Sequence, residues 1–383
     1  MKIAILASNR YPLPSPPDTI FAPGVIIQEL VEGLVAKGHK VVLFAPEGTK
    51  TKAKLITAKT KALYEEFSSG GDFAAKKAAK IGEYLNWDTQ SELLLAATAF
   101  EYIRKDDFDV VHAHKTRHEI YFSSFVDVPC VFTFHDAPKK EVANKFDELR
   151  LKKYAESCYF VSISNAQRKG LEYLNWAGTV YNGIKIADFQ FSQGGEVFLF
   201  SGRLTEEKGV DLAVEVARKA GVALEIVGDI NYTPAGLRLY EKIRPFIDNQ
   251  KIKYRGHVPF GRMSGIYQQA KALLFPITSP EAFGLVMIEA MACGTPVVAF
   301  GLGSVPEIVK DGRTGFVVKP GNLQGMIEAV RKISEMPAEE YQQMRQNCRR
   351  HVEQNFSIEK MVTDYEKVYQ KVIADWQKRK RNR

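Results

Sequence analysis

The sequence predicts an α/β fold built as two Rossmann-like, doubly wound parallel-sheet domains, on three observations. Short apolar, β-branched runs alternate with helical stretches along the whole chain. The runs number six in each half, each followed by a turn signal or a helix, which is the pattern of parallel strands joined by crossovers. The length of 383 residues exceeds one small core and suits two.

In the first half the expected strands are KIAILA (2–7), KVVLFA (40–45), VVHAH (110–114), CVFTFH (130–135), YFVSIS (159–164) and TVYNG (179–183). In the second half they are VFLFSG (197–202), LEIVGD (224–229), KYRGHV (253–258), ALLFPI (272–277), PVVAF (296–300) and FVVKP (316–320). The segment ADFQFSQGGE breaks the alternation, so the boundary falls near Gly183–Gly195. The expected domains are 1–185, 186–356, and a C-terminal amphipathic helix with a basic tail over 357–383. Ligands of such sheets bind at the carboxyl ends of strands, so the site is expected in a cleft between the domains. Between the second and third strands lies Pro46–Lys105, Lys-rich early, with Gly70-Gly71 and then a helical pattern. It reads either as a solvated surface helix or as a variable element facing an acceptor or a membrane.

Composition is that of a soluble globular protein, with 45% hydrophobic and 26% charged residues. The first apolar run is too short for a signal-peptide core and reads as a strand. The longest apolar stretch, Leu93–Phe100, is far short of a membrane span. Cys130, Cys158, Cys293 and Cys348 show neither CxxC nor metal spacing, which suits a reduced, cytoplasmic compartment. The net charge is +8, but the last seven residues, QKRKRNR, carry five of the positive charges. The body is near neutral and no nucleic-acid motif accompanies the tail. The tail is either a frayed end or a contact to the inner face of a membrane.

The stretch 276–301, PITSPEAFGLVMIEAMACGTPVVAFG, is the most informative. Gly284 lets the backbone approach a ligand, and the helix beginning there offers N–H groups and a positive dipole end suited to phosphate. Glu281 precedes that helix, and Glu289 lies about 7 Å along its axis at ~1.5 Å per residue. Two acceptors flanking a diphosphate fit a sugar at one end and a ribose at the other, hence a nucleotide-sugar. Gly202, Arg203 and Lys208 follow the first strand of the second half, where fixed cations would stabilise charge on a leaving diphosphate. The bland alternative pairs Arg203 and Lys208 with Glu206 and Glu207.

These segments carry a resemblance. GRLTEEKG, then PEAFGLVMIEAMACGTPVVA and GSVPEIVKDGRTGFVV, resemble the retaining glycosyltransferases of family 4, with the GT-B fold. The match covers essentially the whole second domain and is looser in the first, where it rests on an early glycine, GHKVVLFAP, DVVHAH and an HD pair. The resemblance implies a nucleoside-diphosphate sugar as donor, an acceptor that it does not name, and a last helix crossing back to the first domain. It implies that Arg203 and Lys208 bind the diphosphate, Glu281 the sugar hydroxyls, Glu289 the ribose, and the backbone at Phe283, Gly284 and Leu285 phosphate or sugar. It places the base beside the turn Gly256–Val258, Gly24 beside the phosphate and His135 beside the sugar. Family members often carry two early glycines where this chain has Gly24-Val25.

The residues leave two metal readings open. His112, His114, His118, His135 and Asp136 could imitate a cluster, and Asp107-Phe108-Asp109 resembles a DxD but reads as a strand entry. The favoured reading needs neither a cofactor nor a metal, since two cations take that role at the diphosphate. A hexose from UDP-glucose or GDP-mannose would pass to an acceptor hydroxyl with retention. The alternatives are a nucleotide-sugar epimerase, a sugar phosphorylase, or a noncatalytic nucleotide-sugar-binding protein.

Overall fold

The structure is a computed structural model that describes residues 1–16, 19, 21–68, 76, 77 and 79–382. Gly70-Gly71 lies outside the described residues. The chain forms two compact units, Met1–Gly183 with Ile358–Arg383, and Ile184–Ser357.

The first unit holds a seven-stranded sheet. Its strands are β1 (Lys2–Leu6), β2 (Lys40–Phe44), β3 (Lys54–Ile56), β4 (Val110–Ala113), β5 (Cys130–Thr133), β6 (Tyr159–Ser162) and β7 (Trp176–Thr179). They lie in the order β3-β2-β1-β4-β5-β6-β7, every pair parallel. Helices cover both faces, so the central strands bury every side chain and read as unbroken apolar runs rather than alternating ones. One face packs Ala4, Leu6, Val111, Phe132 and Phe160 against Leu95, Ala99 and Phe100 of helix Ile81–Ile103.

The second unit holds β8 (Val197–Ser201), β9 (Leu224–Val227), β10 (Ile252–Gly256), β11 (Ala270–Phe275), β12 (Val297–Phe300) and β13 (Gly315–Val318). Their order is β10-β9-β8-β11-β12-β13, again all parallel. Phe198, Phe200, Leu274, Val298 and Phe300 meet Val210, Val214, Met326 and Val330 in its core. In each sheet the strand order reverses once, between β1 and β4 and between β8 and β11. Those reversals open a crevice at the carboxyl edge, where open α/β sheets take ligands.

Two strands differ from expectation. The edge strand β3 pairs with Val42–Phe44 but holds only three residues, one of them an exposed lysine. A short, charged edge is how sheets resist pairing with other chains, and its sequence does not look like a strand. The last strand of the first sheet is Trp176–Thr179 rather than 179–183. Val180 still donates to Ser162 O at 2.9 Å, but its side chain is buried as the chain leaves the sheet. Beyond it Tyr181–Gly183 form a loop, not a strand.

The final helix, Ile358–Arg381, belongs to the first unit. It packs beside helix Ala22–Ala36, where a Cβ on Gly33 would lie 2.5 Å from Val362 Cγ2. Glu366 takes Lys37 and His39. Tyr369 Oη lies 2.7 Å from His112 Nδ1, while His112 Nε2 lies 2.8 Å from Thr133 Oγ1, itself 3.1 Å from the Tyr365 hydroxyl. The basic tail is helical to Arg381, with Arg379 bonded to Glu156 O and paired with Asp375, and Lys380 paired with Asp127. Cations in a last turn also suit the helix dipole. Among the described residues no helix is long and apolar enough to cross a membrane.

Tyr369 is fully buried, so Tyr369→Ala should destabilise the first unit by about 3–5 kcal/mol through the cavity and the lost contacts. Tyr369→Phe, which only strips the hydroxyl from His112, should cost about 1–3 kcal/mol. Urea denaturation of both variants checks the order; equal losses would mean that the ring fills no core.

Candidate functional site

In the second unit two loops meet at the β8/β11 reversal. The chain leaves β8 at Ser201, Gly202 N–H donates to Val227 O at 3.0 Å, and a single turn, Glu206–Lys208, follows. The chain leaves β11 at Phe275 and runs through Pro276–Phe283 into helix Leu285–Ala292. Thr278 ties the loops together, its N–H donating to Glu207 O at 3.0 Å and its hydroxyl to Glu206 O at 2.9 Å.

Gly284 enters the helix at φ +82°, where a Cβ would meet Met287 Cε at 2.7 Å, so this turn needs glycine. No side chain caps the helix and no acid stands in its first turn, which leaves its positive end open to an anion. Behind the loop, Gly303 presses against it so closely that a Cβ would lie 2.2 Å from Glu281 O. Ser304 donates its N–H to Glu281 O at 3.0 Å and its hydroxyl to Phe283 O at 2.8 Å. The Glu281–Gly284 backbone is therefore held from the β12 side before any ligand arrives. The Phe283 side chain turns inward against Phe356, at 5.9 Å between centroids, leaving its backbone for the loop.

The expected site residues of this unit take distinct positions. Lys208 and Glu281 form an ion pair with each other, and Lys208 also stands over the Phe275 ring. Arg203 is exposed, with no ion pair among the described residues. The bland pairing with Glu206 and Glu207 does not occur among the described residues, because the loop tie sends Lys208 across to Glu281. Leu285 is half-buried at the helix start, and Val258 is half-buried in the loop after β10. Glu289 is 7% exposed, and burial pushes its carboxyl up from 4.5 to about 7. Tyr267 opposes that shift by donating to Glu289 Oε2 at 2.7 Å. That hydrogen bond holds one carboxylate oxygen in place.

In the first unit Gly24 sits in the first turn of helix Ala22–Ala36, and a Cβ there would meet Phe21 Cδ1 at 2.5 Å. The close approach at this glycine is made by the chain's own residues. His135 follows β5 and is half-buried, while the exposed Asp136 adjoins it. Asp109 accepts the N–H of Lys2 at 2.6 Å, at the amino edge of the sheet and away from the β1 and β4 carboxyl ends. Among the described residues no group of three His, Cys, Asp or Glu is placed to hold a metal.

The sequence reading passed over a charged cluster at the β1/β4 reversal. Arg10 clasps Asp88 through two N–H bonds of 2.6 and 2.7 Å. The fully buried Glu92 accepts from Ser8 Oγ at 2.6 Å, from Asn9 N at 3.0 Å and from Lys115. The 23-residue helix Ile81–Ile103 is thus anchored by ions rather than solvated along its length. Asp88 and Glu92 sit on the apolar face, at the spacing of Tyr84, Asp88, Glu92 and Leu95, which is the signal that could have shown it.

Two all-parallel sheet units, each with loops gathered at its strand-order reversal, define the class by architecture, the GT-B fold. The chain belongs to the family 4 glycosyltransferases: the family model "Glycosyl transferases group 1" matches residues 184–351 and "Glycosyltransferase Family 4" matches residues 24–187. A glycogen synthase of Mycobacterium tuberculosis is 26% identical over 92% of each chain. An uncharacterized glycosyltransferase of Methanocaldococcus jannaschii is 25% identical over 70% of this chain and 77% of its own. Among solved structures, sucrose-phosphate synthase from Thermosynechococcus elongatus superposes with TM-score 0.75 at 18% identity, over 98% of this chain and 99% of that one. HepE of Anabaena in complex with UDP and glucose superposes with TM-score 0.68 at 17% identity, over 96% and 98%.

Tyr267→Phe removes a bond that favours the charged carboxylate, so the Glu289 pKa should rise further above about 7. Carboxyl ¹³C NMR across a pH titration reads this directly. An unchanged or lower midpoint would show that the phenol does not support the ion.

Proposed function

We propose that this glycosyltransferase moves a hexose from a nucleoside-diphosphate sugar, of the UDP-glucose or GDP-mannose type, to an acceptor hydroxyl with retention of configuration. The observation that carries the reading is the pairing of Lys208 with Glu281 beside the uncapped helix start at Gly284, with Arg203 on the neighbouring loop in no ion pair among the described residues. Cation, carboxylate and helix end supply respectively what a diphosphate, a sugar diol and a phosphate oxygen need. Similarity to proteins solved with UDP and with UDP-glucose supports a donor of this chemistry.

The chemistry follows from charge. The terminal phosphate lies on the helix end, and Lys208 exchanges part of its contact with Glu281 for phosphate oxygens. Glu281 then accepts from sugar hydroxyls, while the oxygen of Glu289 not held by Tyr267 accepts from the ribose. As the glycosidic bond breaks, negative charge grows on the leaving phosphate, and Arg203 and Lys208 stabilise that charge more than the ground state. The leaving phosphate takes the acceptor proton on the face it departs from. With two fixed cations at the diphosphate, the reaction does not call for a metal ion there.

A thermal-shift panel of UDP-, GDP- and ADP-sugars tests the donor. The matching ligand at ~100 times its Kd should stabilise by about 2.7 kcal/mol. NMR of the product should show the donor's anomeric configuration, in an assay that continues with excess EDTA. Phosphate-dependent sugar release would replace the reading with a phosphorylase, isomerised donor with an epimerase, and binding without turnover with a noncatalytic protein. Loss of activity in EDTA, restored by magnesium or manganese, would remove metal independence alone.

Arg203→Ala should lower kcat by about 10²-fold with a smaller effect on KM, because its charge acts on the leaving group. Lys208→Ala should lower kcat at least as much, since it also strands Glu281. Normal turnover in both variants would take the diphosphate away from this edge.

A further inference from the structure

His112 in β4 and His114 just after it have ring centroids 4.1 Å apart, yet they are satisfied differently. His112 has a partner for each nitrogen, the Tyr369 and Thr133 hydroxyls. Among the described residues His114 has one partner: its Nδ1 lies 2.9 Å from Nε2 of His135, and its own Nε2 is buried without a hydrogen bond. His135 is itself held in place. Gln167 donates to Phe134 O at 3.1 Å and to Asp136 O at 2.6 Å, gripping the backbone on both sides of it.

One proton must lie in the bond between the two rings. If His135 supplied it, His114 would carry its other proton on the buried Nε2, as an N–H with no acceptor. Orphaned buried N–H groups are rare and costly. If His114 supplies it from Nδ1, the buried Nε2 is only an unused lone pair. His135 then accepts at Nε2 and carries its own proton on Nδ1. Burial holds both rings neutral, with His135 drawn down to about 4 and His114 well below its usual value. No other hydrogen-bond partner of His135 is found among the described residues, so its Nδ1–H is available.

We infer that His114 is a positioning residue that fixes the tautomer of His135, so that His135 offers a substrate oxygen an N–H donor and has no free lone pair for general-base catalysis. The inference rests on the reading that His135 serves the donor sugar. It gives the second histidine of the VVHAH strand a role that needs no metal.

Long-range ¹H–¹⁵N NMR of histidine-labelled protein tests it without reference to activity. In the wild type, His114 and His135 should both show a protonated Nδ1 and a bare Nε2. His114→Leu should release His135 to the Nε2–H form or to an exchanging mixture, and His114→Asn, which keeps a side-chain N–H donor, should restore Nδ1–H. Turnover of whichever of UDP-glucose and GDP-mannose stabilises the wild type should fall about tenfold in His114→Leu and recover to within about threefold in His114→Asn. An Nε2–H His135 in the wild type overturns the inference, and that spectrum decides even if the leucine variant fails to fold. The expected tautomers with unchanged turnover in His114→Leu overturn the positioning role and leave the transferase reading standing. If no sugar leaves any donor, the transferase reading fails, and the NMR result alone decides the tautomer.

Discussion

Every strand in both sheets is parallel, and the site depends on that constraint. A parallel neighbour can be reached only by a crossover, so each strand ends at the same edge and hands the chain to a loop there. Reversal of the strand order then sends two adjacent crossovers to opposite faces and leaves their loops side by side. Residues 73 apart in sequence, Lys208 and Glu281, become ion-pair partners for this reason alone. The same geometry brings Ser8, Asn9 and Lys115 to Glu92 in the other unit.

Lys208 and Glu281 neutralise each other before ligand arrives. A lone carboxylate in this loop would repel a diphosphate, and a lone ammonium would be attracted to any anion. Paired, they present almost no net charge until a ligand offers phosphate to one and hydroxyls to the other. In the proposed reaction Arg203 and the helix end at Gly284 then supply the remaining attraction for the diphosphate. A bare phosphate satisfies only the cation, whereas a sugar diphosphate satisfies both members of the pair.

Much of the fold was legible because buried parallel strands are written as apolar runs, and Gly284 because a sharp entry into a helix needs glycine. Of the second unit's candidates, Gly202, Arg203, Lys208 and Glu281 lie in two short loops after strands, Val258 in a third, and Leu285 and Glu289 in the helix beyond. The edge strand Lys54–Ile56 was not legible, since a half-exposed strand of three residues has no periodicity to read. Nor was the end of β7, where Val180 is buried and still bonds Ser162 O although the strand has ended. Tyr267, Glu92 and Gln167 escaped for another reason. Each acts through a partner distant in sequence, and only the fold reveals that their polar atoms are aimed at a carboxylate, an amide or a carbonyl.

The first unit is discontinuous in sequence: its last 26 residues follow the whole of the second unit. On the ribosome, therefore, the unit whose strands emerge first is completed last. Until Tyr365 and Tyr369 arrive, His112 lacks its Tyr369 partner, Thr133 lacks Tyr365, and the face beside Gly33 stays uncovered. The second unit, whose boundaries enclose an unbroken run of chain, can close its core while the earlier one waits. The first unit therefore cannot be completed until the second has been synthesised, and loss of Ile358–Arg381 would be felt as far back as His112 and Gly33.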